Sequence, residues 1–197
     1  MALKLVSLIC NFRIQVSLHF IAILTPDHIN RQVLEWKNYM RQQFNCKVAL
    51  KSPAHITLVP PFTMPDTEQQ ALTSLLKQFA QHQHSFTIQV KNFAAFKPRV
   101  IYVAVQTNPL LQQLKIALEE EILIAGRFRI KKEERPFHPH ITIANRDLQK
   151  EDFPKAWQHF NSLLYETSFT ADNIALLRHN EQKNWLPVTS FRLPDNR

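Results

Sequence analysis

The amino-acid sequence predicts one domain of mixed α-helices and β-strands whose two halves share one plan and, if packed as two similar lobes, would meet at a central cleft. Two observations lead to this prediction. Predicted strands and helices follow the same order in the two halves of the chain, roughly 17–94 and 95–193. Each half also has one strand that contains His-Ile-Thr, at residues 55–57 and again at 140–142. The chain has 197 residues, enough for one domain whose two lobes share a core.

Hydrophobic periodicity assigns the elements of the first half. It predicts a buried strand, a helix, two short strands, a helix and an alternating strand, at 17–24, 28–44, 47–51, 55–59, 66–81 and 85–93. Pro26 and Asp27 mark the start of the first helix. Pro60 and Pro61 are expected to end the second short strand, because proline cannot donate a hydrogen bond to a sheet.

The second half repeats this order. It predicts a strand, a helix, two short strands, a helix and two closing strands, at 99–105, 108–126, 127–131, 140–144, 151–161, 167–179 and 185–193. Asn108 can cap the helix, Pro109 suits its first turn, and Gly126 suits its exit. No linker or low-complexity tract separates the halves, so residues 1–197 are predicted to form one domain.

Composition excludes some classes of function. The net charge of +8 favours an anionic partner such as a nucleotide or RNA, although a merely basic surface would give the same value. Gly126 is the single glycine, where average usage predicts about fourteen. Glycine-rich phosphate loops are therefore excluded, and side chains would have to bind any phosphate.

The N-terminus and the cysteines indicate a cytoplasmic protein. The apolar stretch LVSLIC is too short for a signal peptide, and no small-residue cleavage site follows it. No run approaches the ~20 apolar residues of a membrane span. Cys10 and Cys46 have no metal-type spacing and are too few for a disulfide scaffold. We expect a monomer with no membrane partner.

The repeated His-Ile-Thr places two polar groups on one face of each strand, because side chains at i and i+2 point the same way. His55 and Thr57 share one face, as do His140 and Thr142. One imidazole can take a proton from an attacking oxygen while the other gives one to a leaving oxygen. The threonine hydroxyls can donate to the non-bridging oxygens of a phosphodiester. These groups need no metal.

A structural interpretation competes with this one. A lone His-x-Thr in a strand is more often structural than catalytic. Here, however, both copies lie in apolar strands and follow a proline closely, Pro53 and Pro139. Repetition in matching contexts favours function.

The residues that carry the repeat resemble a known family. HITL and HITI, with the flanking stretches HFIAILTP, AHITLVPPF, FKPRVIYVAV and RPFHPHITIANR, resemble the paired motifs of the 2H phosphoesterase superfamily, also known as the 2′-5′ RNA ligase and cyclic phosphodiesterase family. The resemblance covers residues 17–146 well and the remainder loosely. Residues 1–16 precede its first strand and are open to interpretation as an added strand or a misplaced start.

This resemblance implies an α+β, bilobal pseudo-twofold fold, in which two antiparallel β-sheets line a central cleft and helices lie outside. It also implies metal-free hydrolysis or joining of 2′,3′-type phosphoesters without a cofactor, as in RNA processing. It assigns catalytic roles to His55 and His140 and phosphate binding to Thr57 and Thr142.

Other residues near the motifs are weaker candidates for substrate contact. They are Arg135, His138, Arg146, Lys51, Phe62 and Phe137. His138 shares the face of His140, where it either touches substrate or caps a backbone carbonyl, and the second interpretation is preferred. A His-x-His pair can also chelate a metal. No Cys, Asp or Glu nearby in the sequence completes a ligand set, so a metal site is ranked low. For Phe62 and Phe137, core packing is favoured over base stacking. The basic residues of 127–135 are interpreted mainly as a solvated face.

Three functions remain open from the sequence. The first is a metal-independent phosphoesterase that acts on a 2′,3′-cyclic phosphate or a 2′-5′ linked nucleotide or RNA end. The second is the reverse reaction, 2′-5′ RNA end joining. The third is a non-catalytic nucleotide- or RNA-binding module, although binding alone would not need two proton-transfer groups.

Overall fold

The computed structural model describes residues 15–131, 133 and 135–195. These residues form eight strands: β1 (Val16–Leu24), β2 (His55–Pro65), β3 (Phe86–Phe96), β4 (Val100–Val105), β5 (His140–Ala144), β6 (Glu166–Ala171), β7 (Asn173–His179) and β8 (Trp185–Arg192). They also form four α-helices: α1 (Asp27–Phe44), α2 (Gln69–Gln81), α3 (Pro109–Ile124) and α4 (Phe153–Asn161). Two short 3₁₀ helices lie at Ala49–Lys51 and Asp66–Glu68. Residues 1–14 lie outside this description. They make up most of the segment 1–16 that the sequence leaves open as an added strand or a misplaced start.

The strands form two antiparallel sheets of four, which confirms the predicted α+β class. The first sheet has the order β2-β1-β7-β8, and the second has the order β5-β4-β3-β6. Neither sheet comes from one half of the chain. β3 leaves the first half to pair with β4 and β6, while β7 and β8 complete the sheet that β1 begins. The division at residues 94 and 95 therefore does not coincide with the division between the sheets.

The two histidine strands are both edge strands, and they lie beside each other. β2 contacts β5, α1 contacts β5, and α3 contacts β2. Each half thus packs its first helix against the histidine strand of the other half. This reciprocal packing brings residues 55 and 140 to the same region of the molecule.

The prolines predicted to end β2 do not end it. β2 continues to Pro65, and its register against β1 shifts where Val59 and Phe62 face Ile21 and His19. Pro60 and Pro61 fall in this bulge, on an edge strand where a missing N–H donor is tolerated.

Three other predicted strands differ from the structure. Residues 47–51 are not a strand but lead into a 3₁₀ helix, because the Asp147 carboxylate accepts the N–H groups of Lys47 and Val48. Residues 127–131 alternate between buried and exposed but form no ladder with the described strands. The predicted strand 167–179 is divided at Asp172, where the chain passes from the second sheet to the first.

The predicted ends of α3 are confirmed. The Asn108 side chain accepts hydrogen bonds from the backbone N–H groups of Leu110 (3.0 Å) and Leu111 (3.1 Å), and Pro109 occupies the first turn. Gly126 has a φ of +65°, the left-handed conformation in which glycine has no Cβ penalty.

One continuous core fills the space between sheets and helices. Ile56, Leu58, Ile141 and Ile143 belong to it and are at most 1% exposed, as the i, i+2 argument predicts. Each such side chain stabilises the fold by about 1.5–3 kcal/mol relative to exposure. In the described part of the chain, no helix has the length and apolarity needed to cross a membrane.

Candidate active site

His55 is the first residue of β2 and His140 is the first residue of β5. Both imidazoles are half-buried, as are Thr57 and Thr142 two residues later. The intervening isoleucines point into the core, so each strand presents its histidine and threonine on the opposite face.

Both imidazoles are oriented by the same hydrogen bond. His55 Nδ1 donates to the carbonyl of Pro53 and His140 Nδ1 donates to the carbonyl of His138, each at 2.7 Å. Because a carbonyl oxygen only accepts, Nδ1 must carry the proton. In the neutral form Nε2 is then free to accept a proton, and in the charged form Nε2–H can donate one.

The surroundings lower the pKa of both histidines. Burial is the main cause at His55, where the charges of Lys37 and His140 add to it, and its pKa falls to about 4. Burial also lowers the pKa of His140, with a smaller contribution from His138. Both pKa values therefore lie below the 6.5 of an unperturbed histidine.

The turn that carries the Pro53 carbonyl is fixed by residues of α1. Lys37 Nζ donates to the Ser52 carbonyl at 2.9 Å, and Asn30 Oδ1 accepts the N–H of Ala54 at 2.8 Å. Lys37 is 4% exposed, and burial lowers its pKa to about 8. The orientation of His55 therefore depends on buried polar contacts from a helix that the sequence argument did not connect with the site.

A second contact joins the segments around the two motifs. Asp147, shortly after β5, accepts hydrogen bonds from the backbone N–H groups of Lys47 (2.5 Å) and Val48 (2.8 Å), shortly before β2. A carboxylate that accepts two N–H groups forms stronger bonds than a neutral acceptor. Asp147 therefore holds the approaches to the two histidine strands together.

A cleft of about 600 Å³ opens in front of this region. Thr57 and His140 line it, together with three of the weaker candidates, Arg135, Phe137 and His138. His55 and Thr142 do not line this cleft. Lys51 and Arg146 do not line it either, and Arg146 is exposed.

The candidate aromatic and histidine side chains differ in their environment. Phe62 is 5% exposed and belongs to the core, as predicted. Phe137 packs partly against the core and also faces the cleft. The His138 ring is exposed, lies against Phe96 at 5.5 Å, and forms no hydrogen bond with the described residues. The preferred prediction that this ring caps a backbone carbonyl is not what the structure shows. Instead, the His138 carbonyl accepts from His140.

Aromatic rings beside the histidines had no predicted role. The Phe20 ring lies 4.8 Å from that of His55, and the rings of Phe96 and Tyr102 lie 5.2 and 5.0 Å from that of His140. Tyr102 reaches this position through strand pairing, because it faces Thr142 across the β4–β5 ladder. Phe20 lies in the stretch HFIAILTP, and the other two rings lie in FKPRVIYVAV, but sequence alone could not identify their neighbours.

The described residues contain no cluster of three or more His, Cys, Asp or Glu side chains placed to hold a metal ion. His138 and His140 thus lack the further ligands that a zinc site of four donors would need among those residues.

Comparison with known proteins identifies the family. A family model described as the 2′-5′ RNA ligase superfamily matches residues 25–183, which include both His-Ile-Thr strands. The chain belongs to this superfamily. The matched range leaves out β8 and the whole of β1, although both strands belong to the first sheet.

Curated proteins and solved structures are similar to this chain over most of its length. The RNA 2′,3′-cyclic phosphodiesterase of Bacillus subtilis (strain 168) is 29% identical over 145 residues, covering 71% of this chain and 76% of that protein. Escherichia coli LigT complexed with 3′-AMP is 21% identical, with a TM-score of 0.64, and covers 91% of this chain and 99% of that one. TT0787 of Thermus thermophilus has a TM-score of 0.65 at 20% identity, covering 91% and 100%. At these identities the two structures show a common fold.

Proposed function

We propose that this protein is a metal-independent phosphoesterase that acts on 2′,3′-cyclic phosphates or 2′-5′ linked ends of nucleotides or RNA. The observation that carries the proposal is the matched pair of imidazoles. Each has its Nδ1 proton committed to a backbone carbonyl at 2.7 Å, which leaves both Nε2 atoms for proton transfer. The similarity to a relative named RNA 2′,3′-cyclic phosphodiesterase supports this choice of substrate.

Burial lowers the pKa of both histidines, and His55 has two cationic neighbours, Lys37 and His140, where His140 has only His138. We therefore assign His55 as the neutral base and His140 as the acid. His55 Nε2 takes a proton from water as the water oxygen bonds to phosphorus. The bond from phosphorus to the 2′ or 3′ oxygen breaks, and His140 Nε2–H protonates that oxygen.

Thr57 and Thr142 complete the proposed site. Their hydroxyls donate to the non-bridging oxygens, where negative charge increases in the transition state. Arg135 and His138 remain proposed substrate contacts because they line the cleft beside His140. Lys51 and Arg146 do not line the cleft, so we do not propose them as substrate contacts.

Turnover of a 2′,3′-cyclic mononucleotide in excess EDTA tests the proposal. We expect hydrolysis to continue, and His55→Ala and His140→Ala each to lower the rate on the order of 10²–10⁴-fold. The double variant should lose less than the product of the two effects, because the residues act as a unit. His84→Ala is the matched control, since His84 is exposed and lies outside the cleft.

The same experiment separates the other candidate functions. Binding without turnover would favour a non-catalytic module, and a wild-type rate in either histidine variant would place the chemistry elsewhere. The superfamily name favours a joining activity as the second candidate, in which a 5′-hydroxyl replaces water and opens the cyclic phosphate. Supplying an RNA with a free 5′-hydroxyl and looking for a longer product tests that reaction.

A further inference from the structure

Buried charges are few in this protein, and they lie on two corresponding helices. Among the lysine, arginine, aspartate and glutamate residues that the structure describes, those buried are Lys37, Lys115 and Glu119. Lys37 lies on α1 and the other two lie on α3, the first helices of the two halves. Lys37 contacts the turn before His55, and Lys115 lines the cleft beside His140.

The two lysines differ in how their charge is compensated. Lys115 Nζ pairs with Glu119 Oε2 at 2.5 Å, one helical turn away, and lies 5.7 Å from the centre of the Phe137 ring. Lys37 Nζ donates to the Ser52 carbonyl at 2.9 Å and forms no ion pair with any residue that the structure describes. The pair on α3 is therefore neutral as a unit, while the lysine on α1 contributes an uncompensated positive charge.

Stability gives no reason to keep a charge at Lys37. Burying a charge without a partner of opposite sign costs free energy, and an apolar side chain of similar volume would fill the space at least as well. Burial lowers the pKa of Lys37 to about 8, so the amine still carries its charge throughout the acidic range in which the two histidines titrate. A buried charge retained beside a group proposed for proton transfer is typical of functional sites.

The charged groups around His55 come from several elements. Lys37 on α1 and His140 on β5 both disfavour the charged form of His55. Lys51, at the end of the 3₁₀ helix before β2, is half-buried and does not line the cleft. β1 contributes the uncharged ring of Phe20, 4.8 Å away. Lys37 is thus a buried cation that stays charged while His55 titrates.

The cations that line the cleft with His140 are balanced. A carboxylate engages each of them, in the pairs Lys115–Glu119 and Arg135–Glu133. Tyr102 on β4, whose pKa is raised by burial, is uncharged at acidic pH. Among the described residues, this leaves His138 as the neighbour whose charge opposes protonation of His140.

We propose that Lys37 and the Lys115–Glu119 pair are positioning residues, which make two otherwise similar histidines unequal. Lys37 keeps His55 neutral, while the balanced pair lets His140 carry a proton. This inference rests on the proposed function, in which His55 is the base and His140 is the acid. Both imidazoles form the same hydrogen bond, so that bond cannot divide the roles. Unequal buried charge can, because a nearby positive charge disfavours a charged imidazole.

Titration of both imidazoles by NMR tests the inference without any substrate. The histidine ring signals of the full chain are followed from pH 3.5 to 8.5 and assigned with His55→Ala and His140→Ala. Unit charges about 10 Å apart change a pKa by on the order of one unit at an effective dielectric constant of about 20. Lys37→Met removes the charge and keeps an unbranched side chain. It should raise the pKa of His55 by about that amount and change His140 far less.

Glu119→Gln should act on the other histidine, with the opposite sign. It leaves the Lys115 charge uncompensated beside His140, so the pKa of His140 should fall by about half a unit to one unit. The double variant Lys115→Met, Glu119→Gln removes the pair without changing the net charge, and the pKa of His140 should return close to its wild-type value. The double variant thus separates loss of charge balance from loss of packing.

The matched controls are Lys77→Met on α2 and Glu121→Gln on α3, which make the same changes of charge at exposed positions outside the cleft. Neither should shift the pKa of either histidine. The pH profile of kcat/KM on a 2′,3′-cyclic mononucleotide should follow the titrations. Lys37→Met should move its rising limb to higher pH, and Glu119→Gln should move its falling limb to lower pH.

The outcomes separate this inference from the proposed function. The inference is wrong if Lys37→Met leaves His55 unchanged, if Glu119→Gln leaves His140 unchanged, or if either variant shifts both histidines equally. In those cases turnover of the cyclic mononucleotide by the wild type would still support the proposed function. If no turnover occurs, the proposed function is refuted, and the division into base and acid with it. Should Lys37→Met fail to fold, Lys37→Gln removes the same charge and keeps a donor for the Ser52 carbonyl.

Discussion

The pH dependence of kcat/KM gives a sharp test of the paired-histidine mechanism. The perturbation is the pH itself, because a cyclic phosphodiester does not titrate in the range used. The limbs of the profile therefore report the base and the acid of the free enzyme. The base must be neutral and the acid protonated, so the rate rises through the pKa of His55 and falls through that of His140.

The structure sets the position of both limbs. Burial, assisted by the charges of Lys37 and His140, lowers the pKa of His55 from its ordinary 6.5 to about 4. This corresponds to about 3 kcal/mol against protonation. The rising limb should therefore lie near pH 4. The pKa of His140 is lowered below 6.5, so at pH 7.5 about a tenth or less of it is protonated. Activity at pH 7.5 should be no more than about a tenth of the maximum.

The assay is the initial rate of cyclic mononucleotide hydrolysis at substrate concentrations well below KM, from pH 3.5 to 8.5. Far-UV circular dichroism at each pH, and recovery of the full rate on return to pH 5.5, separate titration from unfolding. In His140→Ala the falling limb should disappear, and in His55→Ala the rising limb should disappear. A rising limb at or above pH 6.5 would refute the argument from burial. Limbs that persist in both histidine variants would refute the assignment itself.

Two further predictions concern residues that assist the histidines. Thr57→Val and Thr142→Val should each lower kcat by about 10–10³-fold, by analogy with the loss of one oxyanion donor, while Thr170→Val, at an exposed position of β6, should have no effect. Equal rates for all three variants would remove the proposed phosphate contacts. Asp147→Ala should lower the free energy of unfolding by about 1–3 kcal/mol, because the backbone N–H groups of Lys47 and Val48 lose their hydrogen-bond acceptor, a half-exposed carboxylate. Urea unfolding measures this loss against Glu151→Ala, and matching midpoints for the two variants would show that Asp147 does not join the loops.

Local periodicity predicts most helices and strands and the two faces of each histidine strand, whereas the α+β arrangement of two antiparallel sheets is implied by the resemblance of the motifs. Alternation of polar and apolar residues is enough to place His55 and Thr57 on one face of β2 and Ile56 and Leu58 on the other. Helical spacing and the cap at Asn108 are enough to place α3. Such features depend only on residues within a few positions of one another.

Sequence analysis fails where distant residues decide the local structure. Residues 47–51 avoid the sheet because of a carboxylate about one hundred positions later, Asp147. Pro60 and Pro61 are tolerated because β2 is an edge strand, which is a property of the whole sheet. In the same way, Lys37 and Tyr102 reach the site only through helix packing and strand pairing. No sequence pattern near the histidines could identify them.

The exchange of strands between the halves imposes an order on the folding of a newly synthesised chain. β1 lies between β2 and β7, so it can pair with β2 early, but its other side lacks a hydrogen-bonded neighbour until residues 173–179 have been translated. Closing such a long loop costs entropy and slows folding. Until then β1 presents an open edge, the form in which strands associate with other chains. During translation, the open edge of β1 is therefore protected only if another part of the chain or another molecule covers it until β7 is available.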